Sequence, residues 1–477
     1  MDFENKPSAI YIDCTDTFFS GMHTGIQRVV NQIVSRELKL TETTGILCIP
    51  VVGVNGKYYR LDDIKNIKHF SGELQYFKQY IINKYYNIRM NRKYYNLTEK
   101  NQENSLLNKK NNIINSTKKI LINISKIVLL KFQKFIFYIM TRSKEAVSFR
   151  EMTLLLLPDA FWGRYYNFDS LTNFGPYKPI IIPLIHDLFP VTYPNFCGEE
   201  SIKIFHSRFE KILEISSGII TVSKSGLKDI KEYIVSNYPK YACLPMRSFY
   251  LGADFYDINK INMIQKSNNK LLTKIESASF YLVVGTLEPK KDHQTVLEAF
   301  EKLWSMNYEF KLILVGKIGW KCENIFEKIK NSPFLNKQLF YLQNIKDSDL
   351  MFLYSKAKAL IISSVAEGFG LPLVEAMGLG IPVIASDIPV FREIGDNYPV
   401  YFQCQSPSDL VRVIQKFHLT STSSPSLAPT KTSKRWISWD DSAYSFIQTS
   451  LDIFNEGIKN RDSSGSRMGQ EERCHQD

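Results

Sequence analysis

The chain has 477 residues, long enough for two domains with separate cores, and 44% hydrophobic against 23% charged residues excludes a disordered chain. Its formal charge of +12 is local: residues 78–144 hold fifteen Lys and Arg against Glu99 and Glu103, which leaves the rest near −1 and argues against a chain built throughout for nucleic acid. The seven cysteines are odd in number, scattered and without CxxC spacing, and no HxxxH or HExxH occurs, so neither a disulfide framework nor a metal site is expected.

Residues 1–6 lack a basic region leading into an apolar stretch, so no signal peptide is expected and the cytosol is the expected compartment. Strand-like runs follow at 9–13, 45–52, 153–157, 180–185 and 218–222, with a helix from about Thr24 through Val34. The polar stretch 255–279 reads as a linker. Beyond it, 280–285, 311–316, 339–342, 359–362 and 382–385 read as strands. Between them, 295–304 sets Val296, Leu297, Phe300 and Leu303 on one helical face, and 347–357 does the same with Leu350, Leu353 and Tyr354. Alternating strands and helices predict an α/β chain of two doubly wound parallel sheets. The expected domains are 1–255, carrying a basic insertion at about 78–148, and 278–420. A loop at 419–434, a helix at 435–457 and a disordered tail at 458–477 complete the expectation.

The most informative segment runs from Ser364 to Asp387. A strand ends, Gly368-Phe369-Gly370 turns the chain, and a helix starts near Leu371 with Pro372 in its first turn. Unpaired N–H groups at such a start attract anions, and glycine lets a ligand come close. Glu367 and Glu375 flank this turn with seven residues between them. The segment resembles the E-x7-E signature of retaining family 4 (group 1) glycosyltransferases, which have the GT-B fold of two facing Rossmann-like domains. Residues 285–293 resemble that family's phosphate loop, and 314–320 its second donor-domain loop. Residues 185–190 and 221–225 resemble two N-domain segments, and 23–29 resembles the first turn of bacterial surface-polysaccharide mannosyltransferases. The resemblance covers most of 9–55, 150–255 and 278–418.

The resemblance implies transfer of a hexose, mannose by analogy, from a nucleotide-diphosphate sugar to a glycan or lipid-linked acceptor, with retained configuration and no metal or cofactor. Leaving-group charge would fall to Lys291, with Gly285 at the start of the same phosphate loop. The family commonly has arginine where this chain has Thr286, and Lys290 is the candidate for the second charge. Glu375 would bind the ribose, and Glu367 with the amides of Phe369, Gly370 and Leu371 would hold the sugar. His186 would reach the sugar from the other domain, and Gly21 and Gly25 would let an acceptor-side loop close. Asp347-Ser-Asp349 imitates a metal motif, yet its place before a helical pattern makes it an expected cap. Residues 118–144 read either as an interfacial helix for an anionic membrane, which would make the chain peripheral on the inner face of the cell membrane, or as a helix packed on the N-domain sheet with its lysines solvated. Two other readings are a catalytically inactive GT-B sugar-nucleotide or glycan-binding protein and, more remotely, a nucleic-acid-binding protein.

Overall fold

The structure, a computed structural model, describes residues 6–20, 25–64, 141–142, 144–163, 166, 168–172, 174–253, 279–423 and 436–463. Most of the basic insertion, including 118–140, and the linker up to residue 278 lie outside the described residues. The chain divides into two compact units, Met1–Ile180 and Ile181–Asp477.

In the first unit β1 (Ala9–Asp13) runs parallel to β2 (Cys48–Val54) and to β4 (Thr153–Leu157). All three are buried along their whole length, as their unbroken apolar runs require of a sheet covered on both faces. The antiparallel β3 (Lys57–Arg60) edges this group. The described helices of this unit include α1 (Thr15–Ser20), α2 (Gly25–Val34), α3 (Glu37–Thr44) and α4 (Leu61–Ile64). The expected strand at 45–52 starts later because Gly45, at φ 67°, closes α3 and returns its N–H to Thr41.

The second unit opens with parallel strands β5 (Ile180–Ile185), β6 (Ile219–Thr221) and β7 (Met246–Ser248), the first contributing from Ile181 on. Between them come α5 (Phe189–Thr192), α6 (Glu199–Ile215) and α7 (Lys224–Asn237). Six further strands follow: β8 (Phe280–Val284), β9 (Lys311–Val315), β10 (Leu339–Leu342), β11 (Ala359–Ile362), β12 (Val383–Ser386) and β13 (Val400–Phe402). They are all parallel, in the order β10-β9-β8-β11-β12-β13. This is the 3-2-1-4-5-6 order of a Rossmann sheet, whose ligand crevice opens beyond the carboxyl ends of the first and fourth strands. Here those are β8 and β11, so the loops after them are placed to meet a ligand. The core beneath joins Tyr281, Phe300, Leu303, Leu312 and Leu339, all fully buried.

The connecting helices are α8 (His293–Ser305), α9 (Glu323–Lys330), α10 (Asp347–Lys356), α11 (Leu371–Gly378), α12 (Pro389–Gly395), α13 (Pro407–Ser423) and α14 (Trp439–Ser463). Three expectations need adjusting. The cap of α10 is Lys346, without a side-chain bond, while Asp347 and Asp349 occupy the first turn, where carboxylates favour the helix dipole. The expected loop from 419 is helical to Ser423, since no breaker intervenes before Pro425. The last helix runs past 457 because Ile458 falls one turn after Phe454 and is buried with it.

That last helix packs back on β7. Trp436 donates its indole N–H to the Leu251 carbonyl at 2.6 Å, and Ser442 its hydroxyl to that of Tyr250 at 2.8 Å. Among the described residues Cys14, Cys48, Cys197, Cys322 and Cys404 are not disulfide-bonded. Among the described residues no helix is long and apolar enough to cross a membrane.

Candidate active site

The loop after β8 carries Gly285, Thr286 and a short 3-10 turn, Pro289–Lys291. Asp292, at φ 46°, then caps α8 by accepting the Thr295 N–H at 3.3 Å. The methylenes of Lys291 lie across Gly285, 3.6 Å from where a Cβ would stand. The Thr286 side chain instead faces Gly319, in the loop after β9. Two bonds tie this loop to the one after β11: Ser363 donates to the Lys291 carbonyl at 2.7 Å, and the Val365 N–H to that of Lys290 at 2.9 Å.

The loop after β11 brings the first signature glutamate to the lysines. Glu367 is ion-paired with Lys291 and accepts from the Ser364 hydroxyl at 2.7 Å, and Lys290 lies 3.8 Å away. Lys290 itself is buried and donates to Asp187 at 2.6 Å, with its ammonium 5.1 Å from the Phe189 ring centroid. Burial alone would raise the Glu367 carboxyl, but the charges of Lys291 and Lys290 hold it below the usual carboxylate range. The same opposition, with Lys290 dominant, lowers Asp187. Lys290 is correspondingly raised: the two carboxylates outweigh burial. A third acid, Glu288, is pushed up to about 7 by burial and by the neighbouring carboxylates, against the pull of Lys291 and Lys290.

The Gly368–Leu371 turn is held by its surroundings. Gly370 caps α11 at φ 104°, and a Cβ there would stand 2.8 Å from the Phe391 ring, so only glycine fits. A Cβ on Gly368 would stand 2.1 Å from the His186 carbonyl oxygen. The Gly368 carbonyl accepts from the Ser223 hydroxyl at 2.8 Å. Phe369 is buried, its ring centroid 6.3 Å from that of Tyr250 and 5.9 Å from that of Trp436. Glu375, on α11, is only 2% exposed, and Tyr354 donates its hydroxyl to one of its oxygens at 3.1 Å.

Of the residues singled out from sequence, His186, Gly285, Lys290, Lys291, Glu367, Gly368, Phe369, Gly370, Leu371 and Glu375 thus lie on the loops at the Rossmann crevice or on the elements touching them. Thr286 is in the same loop but turned toward Gly319. Gly25 opens α2 in the first unit, and Gly21 lies outside the described residues. The sequence alone did not assign Asp187, Glu288, Ser223 or Tyr354 to the site. The first unit has a polar cluster of its own, also unanticipated. Asp159 accepts from the Thr17 N–H at 2.6 Å and its hydroxyl at 3.0 Å, and burial lifts Asp13 to about 6 and Asp159 to about 7.

Chemically, the crevice offers a cationic pair, a backbone turn opening a helix, and carboxylates both ionised and near-neutral in one buried place. Such a set suits an anionic ligand with hydroxyls attached. The family described as "Glycosyl transferases group 1" matches residues 265–432. The chain carries a group 1 glycosyltransferase domain. That domain contains the lysine pair and both signature glutamates. The chain is 34% identical over 294 residues to the serotype-specific mannosyltransferase WbdA of Escherichia coli, covering 61% of this chain and 35% of that protein. It is 29% identical over 221 residues to the O-antigen chain mannosyltransferase RfbU of Salmonella typhimurium, covering 46% and 55%. The chain thus spans about a third to about half the length of these relatives. A solved glycosyltransferase from Rickettsia africae ESF-5 is 16% identical, covers 96% of this chain and 98% of that one, and has a TM-score of 0.47. The glycosyltransferase domain has an all-parallel sheet and the strands before it are parallel apart from β3, both Rossmann-like α/β structures, as the GT-B resemblance implies.

Proposed function

We propose that the chain is a retaining glycosyltransferase of surface polysaccharide synthesis, moving a hexose from a nucleotide-diphosphate sugar to a glycan or lipid-linked acceptor. The observation that carries this reading is the convergence of Lys290, Lys291, Glu367 and the Gly368–Leu371 turn at the switch point of a Rossmann-order sheet. The names of the relatives support mannose as the first sugar to test.

In this reading the diphosphate lies across Lys291 and the helix-start amides, which stabilise the charge that gathers as the bond to the anomeric carbon breaks. Glu367 leaves its pairing with Lys291 to accept hydroxyls of the sugar, and Glu375 accepts those of the ribose. Lys290 stays with Asp187 and supplies fixed positive charge behind the phosphates. The leaving phosphate oxygen takes the acceptor's proton on the face it departs from, so configuration is retained and neither a protein base nor a metal ion is required. The basic segment, outside the described residues, keeps its assignment as an anionic-membrane contact at the inner face of the membrane.

The test is a thermal-shift panel of UDP-, GDP-, ADP- and dTDP-sugars followed by turnover of the stabilising donor, in the presence of EDTA. One sugar nucleotide should stabilise the protein and be consumed. Lys291→Ala should lower kcat by about a hundredfold or more, the scale for removing one preorganised charge donor. Stabilisation by none, or a Lys291→Ala rate within twofold of wild type, refutes the assignment.

A further inference from the structure

Glu393, on α12, lies outside the lysine–glutamate cluster, yet it grips the segment that holds the signature turn. Its carboxylate accepts the Lys224 N–H at 2.7 Å, the Ser225 N–H at 2.7 Å and the Ser225 hydroxyl at 2.5 Å. Lys224 and Ser225 open α7, so their N–H groups have no acceptor within that helix. The cap residue of the same helix, Ser223, accepts the Gly226 N–H at 3.0 Å and donates its hydroxyl to the Gly368 carbonyl at 2.8 Å. A chain of bonds therefore runs from Glu393 through the first turn of α7 to the peptide joining Gly368 and Phe369. Because that peptide is planar, fixing its carbonyl also fixes the direction of the Phe369 N–H on its other side. Tyr250 joins the arrangement: burial, and then the Glu393 carboxylate beside it, push its phenol up to about 12.

We propose that Glu393 is a positioning residue for donor binding: it anchors the start of α7 so that Ser223 aims the Gly368–Phe369 peptide at the donor. The inference rests on the donor-site reading of the Gly368–Leu371 turn. It differs from a merely structural role because a carboxylate that only caps α7 would affect stability and leave donor affinity alone.

Hydrogen–deuterium exchange and donor kinetics on the full chain separate these cases. Glu393→Ala should speed exchange of the Lys224 and Ser225 amides and raise the donor KM about tenfold, the scale of losing one charge-assisted hydrogen bond, with kcat within about threefold. Glu393→Gln, which keeps one acceptor oxygen in place, should recover part of that KM. Ser223→Ala should raise KM similarly while the Lys224 and Ser225 amides stay protected, and it serves if Glu393→Ala does not fold. Unchanged exchange in Glu393→Ala, or faster exchange with an unmoved KM, overturns the positioning role alone. A wild-type chain that consumes no sugar nucleotide overturns the donor reading and this role with it, whatever the exchange shows.

Discussion

Gly368→Ala probes the close approach on which the signature turn depends. The added Cβ would stand 2.1 Å from the His186 carbonyl oxygen, where real Cβ contacts are essentially never under 3.0 Å, so about 0.9 Å of movement is forced. The obstacle is backbone at the end of β5, which cannot rotate away as a side-chain tip would. Overpacking of this kind costs about 1–3 kcal/mol of stability. The larger effect should be on function, since a shift of about 1 Å in a positioned catalytic group can cost roughly a hundredfold in rate. The same movement stretches the Ser223–Gly368 bond, now 2.8 Å. Urea unfolding gives the stability term, and donor kcat/KM gives the functional one. If Gly368→Ala loses less than about 0.5 kcal/mol and keeps kcat/KM within threefold, the contact between the His186 loop and the signature turn is not what the structure describes.

Two further outcomes follow from the charges. Lys290→Met leaves Asp187 without its cation and should destabilise by about 3 kcal/mol, the scale of breaking a buried pair. Asp187 is held below the usual carboxylate range, so its contribution is present above its unfolded value near 3.8 and is lost as pH falls through the folded value; the gap between wild type and Lys290→Met should narrow below about pH 4. His293 is buried, and burial followed by the Lys291 charge lowers it from 6.5 to about 3, so below pH 6.5 the unfolded chain binds a proton that the folded one refuses. Wild type should therefore lose about 1.4 kcal/mol per pH unit relative to His293→Gln between pH 6 and 4, and parallel stability profiles would refute this.

The fold was legible where a strand of four or more residues is apolar along nearly its whole length. Residues 9–13, 153–157, 339–342 and 359–362 are strands with the bounds their composition suggests, because both faces of those strands are covered. The short strands β3, β7 and β13 escaped notice. Met246–Ser248 and Val400–Phe402 have three residues each, too few for a period, and their pairing is decided by neighbours far away in sequence. For Lys57–Arg60 a signal existed: Asn55-Gly56, with φ 49° and 78°, is the two-residue hairpin turn that pairs Val54 with Lys57. In the site, the spacing of Glu367 and Glu375 was legible, since it follows from the local strand–turn–helix geometry. The partners Asp187, Ser223 and Glu393 were not legible as such. Each meets its counterpart across more than a hundred residues of chain, and no local pattern encodes which lysine or carbonyl it will face.

Transfer with retention at the Lys291–Glu367 crevice is tested most directly by the anomeric configuration of the product. Wild-type protein incubated with the stabilising nucleotide α-hexose and an acceptor glycan, in EDTA, should give a new α-linked residue by proton NMR, and Glu367→Gln should give far less of it. A β-linked product, or equal yield from Glu367→Gln, would contradict the account.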